Sequence, residues 1–507
     1  MTDAAPRSHA HLIERLRATL SYTGIILTIC AGLMLVPLAC LVAWPSEARL
    51  AYGFVIPAAG LGLIGMLLWR RFQPREAAAL TIGQGSVIVV TSWTVVCVAS
   101  AIPFMLVEGL SFTQAVFEAV SGWTTTGLSV VDVQRASHMT LLWRSLSQLA
   151  GGAGIAVIML ASIAGPPGTG LSVAEGRSEQ LVPHVRASLK LVLALYSSYA
   201  FVGLLAYWIA GMPLFEAINH SFTAVSTGGF STRPESIGAW NEMRIEAVTI
   251  VLMLLGSMNF LTAWGLLRRR FHHATRSGEL RLAAVLIPLA TVLIFAFVTA
   301  PIYGGGGKAV RVAVFEAVSA LTGTGFSTTT YSAWPGFGML VVVALMIVGG
   351  GVGSTSGGLK QHRVYVLLKS VWWDVRRALL PENVVMERFI WRGDRKDFVD
   401  DRRLRSLGDY VFLYLTVVLA VALIVAVAGH GLDVSLFESA SIVGTVGLSM
   451  GATGPQASPL ILWAGTVGML LGRLEFYVVA VGVIRLAASV RTLIGARMSR
   501  RKQPRVP

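Results

Sequence analysis

Four stretches of the chain share one frame and carry almost nothing reactive. They read EAVSGWTTTGLS from Glu118, HSFTAVSTGGFS from His220, EAVSALTGTGFS from Glu316 and ESASIVGTVGLS from Glu438. What these residues can supply is oxygen. Glycine reaches backbone angles that turn carbonyls toward an axis, and Thr and Ser add hydroxyls without bulk. Four such loops around one axis would form a ring of hard ligands able to replace the hydration shell of an alkali cation. The residues of that ring would be Thr124, Thr125, Thr126 and Gly127; Ser226, Thr227, Gly228 and Gly229; Thr322, Gly323, Thr324 and Gly325; and Gly444, Thr445, Val446 and Gly447. The plainer reading is a set of small-residue turns packed on neighbouring helices. One loop would not separate the two readings, but four aligned copies favour the ring.

The elements around the loops repeat as well. The last glycines lie 102, 96 and 122 residues apart, and the longest gap holds the basic segment Lys369–Arg405. Each loop ends a short semi-polar run set between two long apolar runs, so one structural unit is used four times. The short runs are Phe112–Ser129, Leu214–Ser231, Val310–Ser327 and Val434–Ser449. They are too short to span a bilayer and predict re-entrant helices that turn back at the glycine. Irregular backbone at that depth survives only where it is buried or lines water. Two further apolar runs, Tyr22–Trp44 and Leu50–Trp69, precede the first unit.

Composition agrees with an all-α polytopic membrane protein. The 507 residues are 54% hydrophobic and 13% charged, against about a quarter charged in soluble domains. Mean hydropathy is +0.69, and strands alternating at period 2, the mark of a barrel, are not evident. The net charge of +15 would suggest nucleic acid in a soluble protein, but here orientation explains it. With ten spanning helices and both termini cytoplasmic, the cytoplasmic segments hold 33 Lys and Arg and the outer segments 7, as the positive-inside rule requires. All four glycine motifs then fall on the outer half. The polar N-terminus shows no cleavable signal pattern. Cys30, Cys40 and Cys97 sit in apolar runs and read as small core or lipid-facing residues.

Two other features could control passage. The run GGGVGSTSGGLK contains Gly349, Gly350, Gly351, Gly353, Ser354, Thr355, Ser356, Gly357, Gly358 and Lys360. Each glycine costs a helix roughly 1 kcal/mol relative to alanine, so a broken helix with a small loop under the ring is expected. A gate is the functional reading and close helix packing the plain one. In GRLEFY, Arg473 and Glu475 lie in an apolar run, where charge is expensive. Two residues apart on one helix, they need separate partners. Arg473 reads either as a positive barrier or latch in the pathway, or as a structural ion pair or cap. GPPGTG at Gly165–Gly170 lacks the lysine of a phosphate-binding loop and reads as a loop. GGAGIAVIML from Gly151 reads as a packing helix.

On these motifs the chain resembles the Trk/Ktr/HKT superfamily of potassium transporters, most closely the bacterial TrkH-type membrane subunit. The four loops, GGAGI, GGGVGSTSGGLK and GRLEFY carry the resemblance, which covers about Tyr22 to Val490. The fourth loop, GTVGLSMG, is more like the Ktr branch. The resemblance implies two N-terminal helices plus four helix–pore-loop–helix repeats around a single, potassium-channel-like pore. It implies that Gly127, Gly229, Gly325 and Gly447 are filter glycines, with glycine at 127 favouring potassium. It further implies a gate at Gly349–Lys360, an arginine below the filter at Arg473, a homodimer, and a cytoplasmic, TrkA-like ring of nucleotide-binding regulatory subunits.

Potassium uptake across the inner (plasma) membrane is therefore the expected function, with K⁺ as cargo, membrane lipid around it, and no enzyme activity, organic cofactor or nucleic acid. A Na⁺- or H⁺-coupled symporter of another type would show inverted or paired repeats. A membrane-embedded enzyme would cluster ionisable residues at depth. The expected divisions are 1–74 (two-helix extension), 75–165, 166–270 and 271–370 (repeats one to three, the last with the gate), 371–407 (basic cytoplasmic segment) and 408–507 (repeat four and basic tail).

Overall fold

Lipid offers no hydrogen bonds, so a long apolar run must satisfy its backbone within itself, as helix. The computed structural model describes residues 4–73, 82–154, 185–269, 271–381, 383–384, 386–392 and 395–502. Among these, six helices are long and apolar enough to cross a membrane: Leu16–Val42, Tyr52–Arg71, Gly83–Val107, Val192–Ile209, Gly278–Tyr303 and Asp401–Val427. They are the two N-terminal runs and the first helix of each repeat. GPPGTG and the first repeat beyond Gly154 lie outside the described residues, as do the expected divisions at 74/75 and 165/166.

Among the described residues, the second helix of each repeat is shorter than a continuous span, which was expected of the third repeat alone. These inner helices cover His138–Ala153, Met243–Ser257, Gly336–Val348 and Pro459–Leu474. Each stops part-way, and a local reason is visible in three. Gly154 takes a left-handed conformation at φ 58°, Gly349 turns at φ 70°, and Glu475 sits at φ 62°. Beyond Glu475 the chain continues as Phe476–Lys502 after a bend of 106°. The second inner helix pauses at Met258 and Asn259 before Phe260–Leu267. Only the third break was legible from glycine content.

The short runs are helices, here called pore helices: Phe112–Trp123, Leu214–Val225, Gly307–Thr322 and Leu432–Gly444. At 1.5 Å per residue they reach only about 18–24 Å. The first starts in a capping box, Ser111 accepting from the Gln114 amide while Gln114 returns a bond to the Ser111 backbone, which satisfies two orphan donors. Each pore helix packs on its own inner helix and on that of the preceding repeat, and the first packs on the fourth inner helix, so the repeats close into a ring. Phe117, Phe315 and Phe437 occupy one frame position in three repeats and are fully buried. Asn219 takes that position in the second, where it accepts from Ser145 Oγ at 2.7 Å. Cys30, Cys40 and Cys97 are buried free thiols.

The basic segment is more structured than a charged linker. Helix Gln361–Leu379 leads to a two-stranded antiparallel hairpin, Phe389–Arg392 with Arg395–Phe398. Val366 and Trp373 of the helix bury Ile390 and Val399 in a small core of their own. The alternation in Phe389–Arg392 is short and was not read as a strand.

Candidate functional site

The four loops meet at one place. A Cβ added to Gly127 would collide with the carbonyl oxygen of Gly228, one on Gly229 with that of Thr324, one on Gly325 with that of Val446, and one on Gly447 with that of Thr126. Each glycine is thus pressed against the next loop and the last returns to the first. The glycine is demanded twice, because all four also have positive φ: 97°, 72°, 78° and 99° in chain order.

Within each loop the backbone hand alternates. Thr125, Thr227, Gly323 and Thr445 have φ of 54°, 50°, 66° and 49°, whereas Thr126, Gly228, Thr324 and Val446 are not in the left-handed region. Alternating hand turns successive carbonyls to the same side instead of opposite sides. A non-glycine residue with positive φ is uncommon and costs about 1–3 kcal/mol unless its surroundings hold it. Here the holding bonds repeat in every loop. The amides of Thr126, Gly228, Thr324 and Val446 donate to the carbonyls of Ser121, Thr223, Ser319 and Ser441 at 2.9, 2.8, 3.1 and 2.8 Å. In the first and fourth loops the serine hydroxyl also accepts from the glycine amide, at 3.1 Å for Gly127 and 3.0 Å for Gly447. The buried hydroxyl oxygens of Thr125 and Thr445 have no hydrogen-bond partner among the described residues.

Several supporting residues were not singled out by sequence reasoning. Glu118, Glu316 and Glu438 are fully buried, and each staples its own pore helix to the segment just beyond that loop's glycine. Glu118 accepts from Ser129 Oγ at 3.0 Å and the Val130 amide at 2.8 Å, and pairs with buried Arg144 at 2.7 Å. Glu316 accepts from the Thr328 amide at 2.7 Å and from the Tyr331 hydroxyl. Glu438 accepts from Ser449 Oγ, the Met450 and Ala452 amides and Thr453 Oγ1. In the second repeat His220 Nε2 meets Ser231 Oγ at 3.0 Å. Gln148, from the first inner helix, clamps the second loop by donating to the Gly228 carbonyl at 2.5 Å and accepting from the Phe230 amide at 3.2 Å. The recurrent acid at frame position one and the recurrent Ser or Thr at position four were the available signals.

Above the ring lies a cavity of about 920 Å³, lined by all four glycines and by Ser129, Ser231, Ser327 and Ser449. Below it lies the glycine-rich loop. Gly349, Gly353, Gly358 and Lys360 all have positive φ, at 70°, 71°, 80° and 76°. Thr355 Oγ1 donates to the carbonyls of Val225 at 3.2 Å and Gly256 at 2.9 Å, and lies 3.1 Å from Thr227 Oγ1. A Cβ on Gly357 would strike Thr445 Oγ1 and the Gly444 carbonyl, and one on Gly323 would approach Ser356 Oγ. The loop is therefore packed against the underside of at least three loops of the ring. It is held by Gly350, whose amide donates to Ser356 Oγ at 3.1 Å, by Gly351, whose amide donates to the Ser257 carbonyl at 2.9 Å, by Ser354 to the Gly351 carbonyl at 2.6 Å, and by Lys360 to the Ser356 carbonyl.

Arg473 lies in the same floor. Its guanidinium donates to the carbonyls of Thr355, of Gly151 at 3.0 Å and of Gly152 at 3.5 Å. It joins the end of the first inner helix to the glycine loop, beside a cavity of about 40 Å³ that Lys360 also lines. Glu475 pairs instead with Arg363 at 2.6 Å. The two residues do have separate partners, but the 106° break between their helices separates them, not two faces of one helix. Gly151 and Gly152 match the packing reading, since a Cβ on either would meet the backbone of Trp123 or the side chain of Ser226.

A family model for cation transport proteins, TrkH, matches residues 62–490. The Trk system potassium uptake protein TrkH of Salmonella typhimurium is 30% identical over 92% of this chain and 98% of its own. TrkG of Escherichia coli, described in the same terms, is 32% identical over 78% and 84%. The crystal structure of the potassium transporter TrkH from Vibrio parahaemolyticus superposes with a TM-score of 0.80 at 25% identity, covering 92% of this chain and 98% of that one. With a ring of four repeats, two helices before it and a family match across most of its length, this chain belongs to the TrkH family of cation transport proteins.

Proposed function

We propose that the chain takes up potassium ions across the cell's inner (plasma) membrane. K⁺ enters from the outer cavity and sheds water to main-chain oxygens of Thr124–Gly127, Ser226–Gly229, Thr322–Gly325 and Gly444–Gly447. The observation that carries this reading is the closed sequence of contacts between the four glycines, each touching a carbonyl of the next loop. The partnerless hydroxyls of Thr125 and Thr445 suit a cation ligand at the base of the ring. The glycine-rich loop and Arg473 form the gate: the loop closes the underside, and the arginine adds a positive charge that a leaving cation must displace. Membrane potential supplies the driving force, about 2.3 kcal/mol per charge per 100 mV.

The working unit in this reading is a homodimer with cytoplasmic termini, regulated by a TrkA-like nucleotide-binding ring that meets the basic segment Lys369–Arg405. The 33-to-7 distribution of basic residues supports the orientation. The test is rescue of a potassium-uptake-deficient cell at micromolar K⁺. Wild type should restore growth; protein present in the membrane without rescue would overturn the proposal. Gly127→Ser should lower the K⁺ to Na⁺ flux ratio, and an unchanged ratio would remove that position from the filter.

A further inference from the structure

The third and fourth repeats both break their inner helices below the ring, and one ion pair joins the segments that follow the two breaks. Arg363 lies in the first turn of helix Gln361–Leu379, which begins where the glycine loop ends. Glu475 immediately precedes helix Phe476–Lys502, two residues after Arg473. Arg363 Nη2 and Glu475 Oε1 are 2.6 Å apart, and the side chains are only 16% and 19% exposed. The Arg363 guanidinium also lies 3.8 Å from the centre of the Tyr410 ring. Tyr410 is buried and packs on Phe476, at 5.6 Å between ring centroids. The two flanks of the pair are held in unfavourable backbone conformations, Lys360 at φ 76° and Glu475 at φ 62°. Such strain persists only where the surroundings impose it.

The pair has mechanical reach in both directions. Upward, Gln361 is bonded into the glycine loop, its amide to the Gly350 carbonyl at 2.9 Å and its Nε2 to the Gly349 carbonyl at 3.0 Å. Outward, helix Gln361–Leu379 is one body with the cytoplasmic hairpin, through Lys369 Nζ on the Phe389 carbonyl at 2.7 Å and the shared core of Val366, Trp373, Ile390 and Val399. A force on that cytoplasmic body therefore loads the Arg363–Glu475 contact together with the glycine loop to which Gln361 is bonded.

We infer that the Arg363–Glu475 pair, braced by Tyr410, is a latch that keeps the glycine loop and Arg473 together in the closed arrangement. Displacing the cytoplasmic hairpin body separates the pair and releases both obstructions at once. Neither residue touches the ring of four loops, so both are positioning residues that act through the gate. The inference rests on the gate reading given above.

The test measures rubidium flux through the full-length protein in lipid vesicles without any regulatory subunit. R363E and E475R should each raise basal flux roughly tenfold, because breaking one mostly buried pair shifts a two-state balance by about that order. The double variant R363E/E475R should return flux to the wild-type level, which loss of packing alone would not do. The K⁺ to Rb⁺ preference should stay at its wild-type value in all three, showing that the ring is intact. E475Q, which keeps the size of the side chain, guards against misfolding and should raise flux several-fold. R473A separates the two levels of the argument. If R473A raises flux and the latch variants do not, the latch is wrong and the gate stands. If R473A leaves flux unchanged, the gate reading fails and the latch with it. Single variants that raise flux without recovery in the double variant also overturn the latch.

Discussion

In the first and fourth repeats the glycine is held by the same bonds: an amide to the carbonyl five residues back, and a serine hydroxyl accepting from the glycine amide at 3.1 and 3.0 Å. The inner helices that follow those loops end in quite different ways. One stops at a left-handed glycine, the other bends by 106° at a glutamate. The second repeat pauses for two residues and the third inserts a twelve-residue loop, Gly349–Lys360. Ring and floor are thus built on opposite plans. On the proposed function, coordinating a spherical cation asks for equivalent oxygens from every side, which the ring's pseudo-symmetry suits. On the same reading, closing a pathway needs one obstruction, not four, so the floor is free to be asymmetric. On the proposed function, damage to the ring should change which ion passes or whether any does, and damage to the floor should change how fast it passes.

The largest expected effect tests the ring where it is tightest. Gly325→Ala would place a methyl group into the Val446 carbonyl at a residue with φ 78°. Rubidium uptake should fall on the order of 100-fold or more, since strain of about 3 kcal/mol already corresponds to that factor. Uptake within twofold of wild type would mean that the contact between loops is not needed. Next is the staple behind the ring. Glu438→Ala removes the acceptor of four donors, Ser449 Oγ, Met450 N, Ala452 N and Thr453 Oγ1, and leaves the buried Ala452 amide without one while the two hydroxyls can still bond each other. Unsatisfied buried donors cost about 1–3 kcal/mol each, so the thermal midpoint in detergent should drop clearly, with K⁺ flux lost alongside.

A floor variant should behave differently. Thr355→Val keeps the shape but removes the hydroxyl bonds to Val225 and Gly256. Basal flux should rise about fivefold, as for loss of roughly 1 kcal/mol from the closed state, while the K⁺ to Na⁺ ratio stays at its wild-type value. A changed ratio would erase the division between ring and floor. The smallest effect tests equivalence within the ring. Ser121→Ala and Ser441→Ala each remove one acceptor from a glycine amide and should each cost about 1 kcal/mol of stability. Unequal losses would show that the first and fourth loops are less alike than their bonds.

By itself the sequence determined what is local and repeated. Four frames with glycine at 127, 229, 325 and 447, flanked by apolar runs, prescribe four re-entrant loops, because apolar length dictates helix and small residues dictate turns. The surplus of Lys and Arg in alternate segments sets the expected orientation, and six glycines in eleven residues marked one break. Only the tertiary structure decided who touches whom. Arg473 reaches Gly151 across 322 residues and Arg363 reaches Glu475 across 112, and no spacing rule predicts either partner. The clamp of Gln148 depends on what a neighbouring repeat offers, and the staples of Glu118, Glu316 and Glu438 on how each repeat folds its own loop back onto its pore helix. Composition and period act along the chain, whereas a buried charge or amide is satisfied by whichever atom the packing brings within about 3 Å.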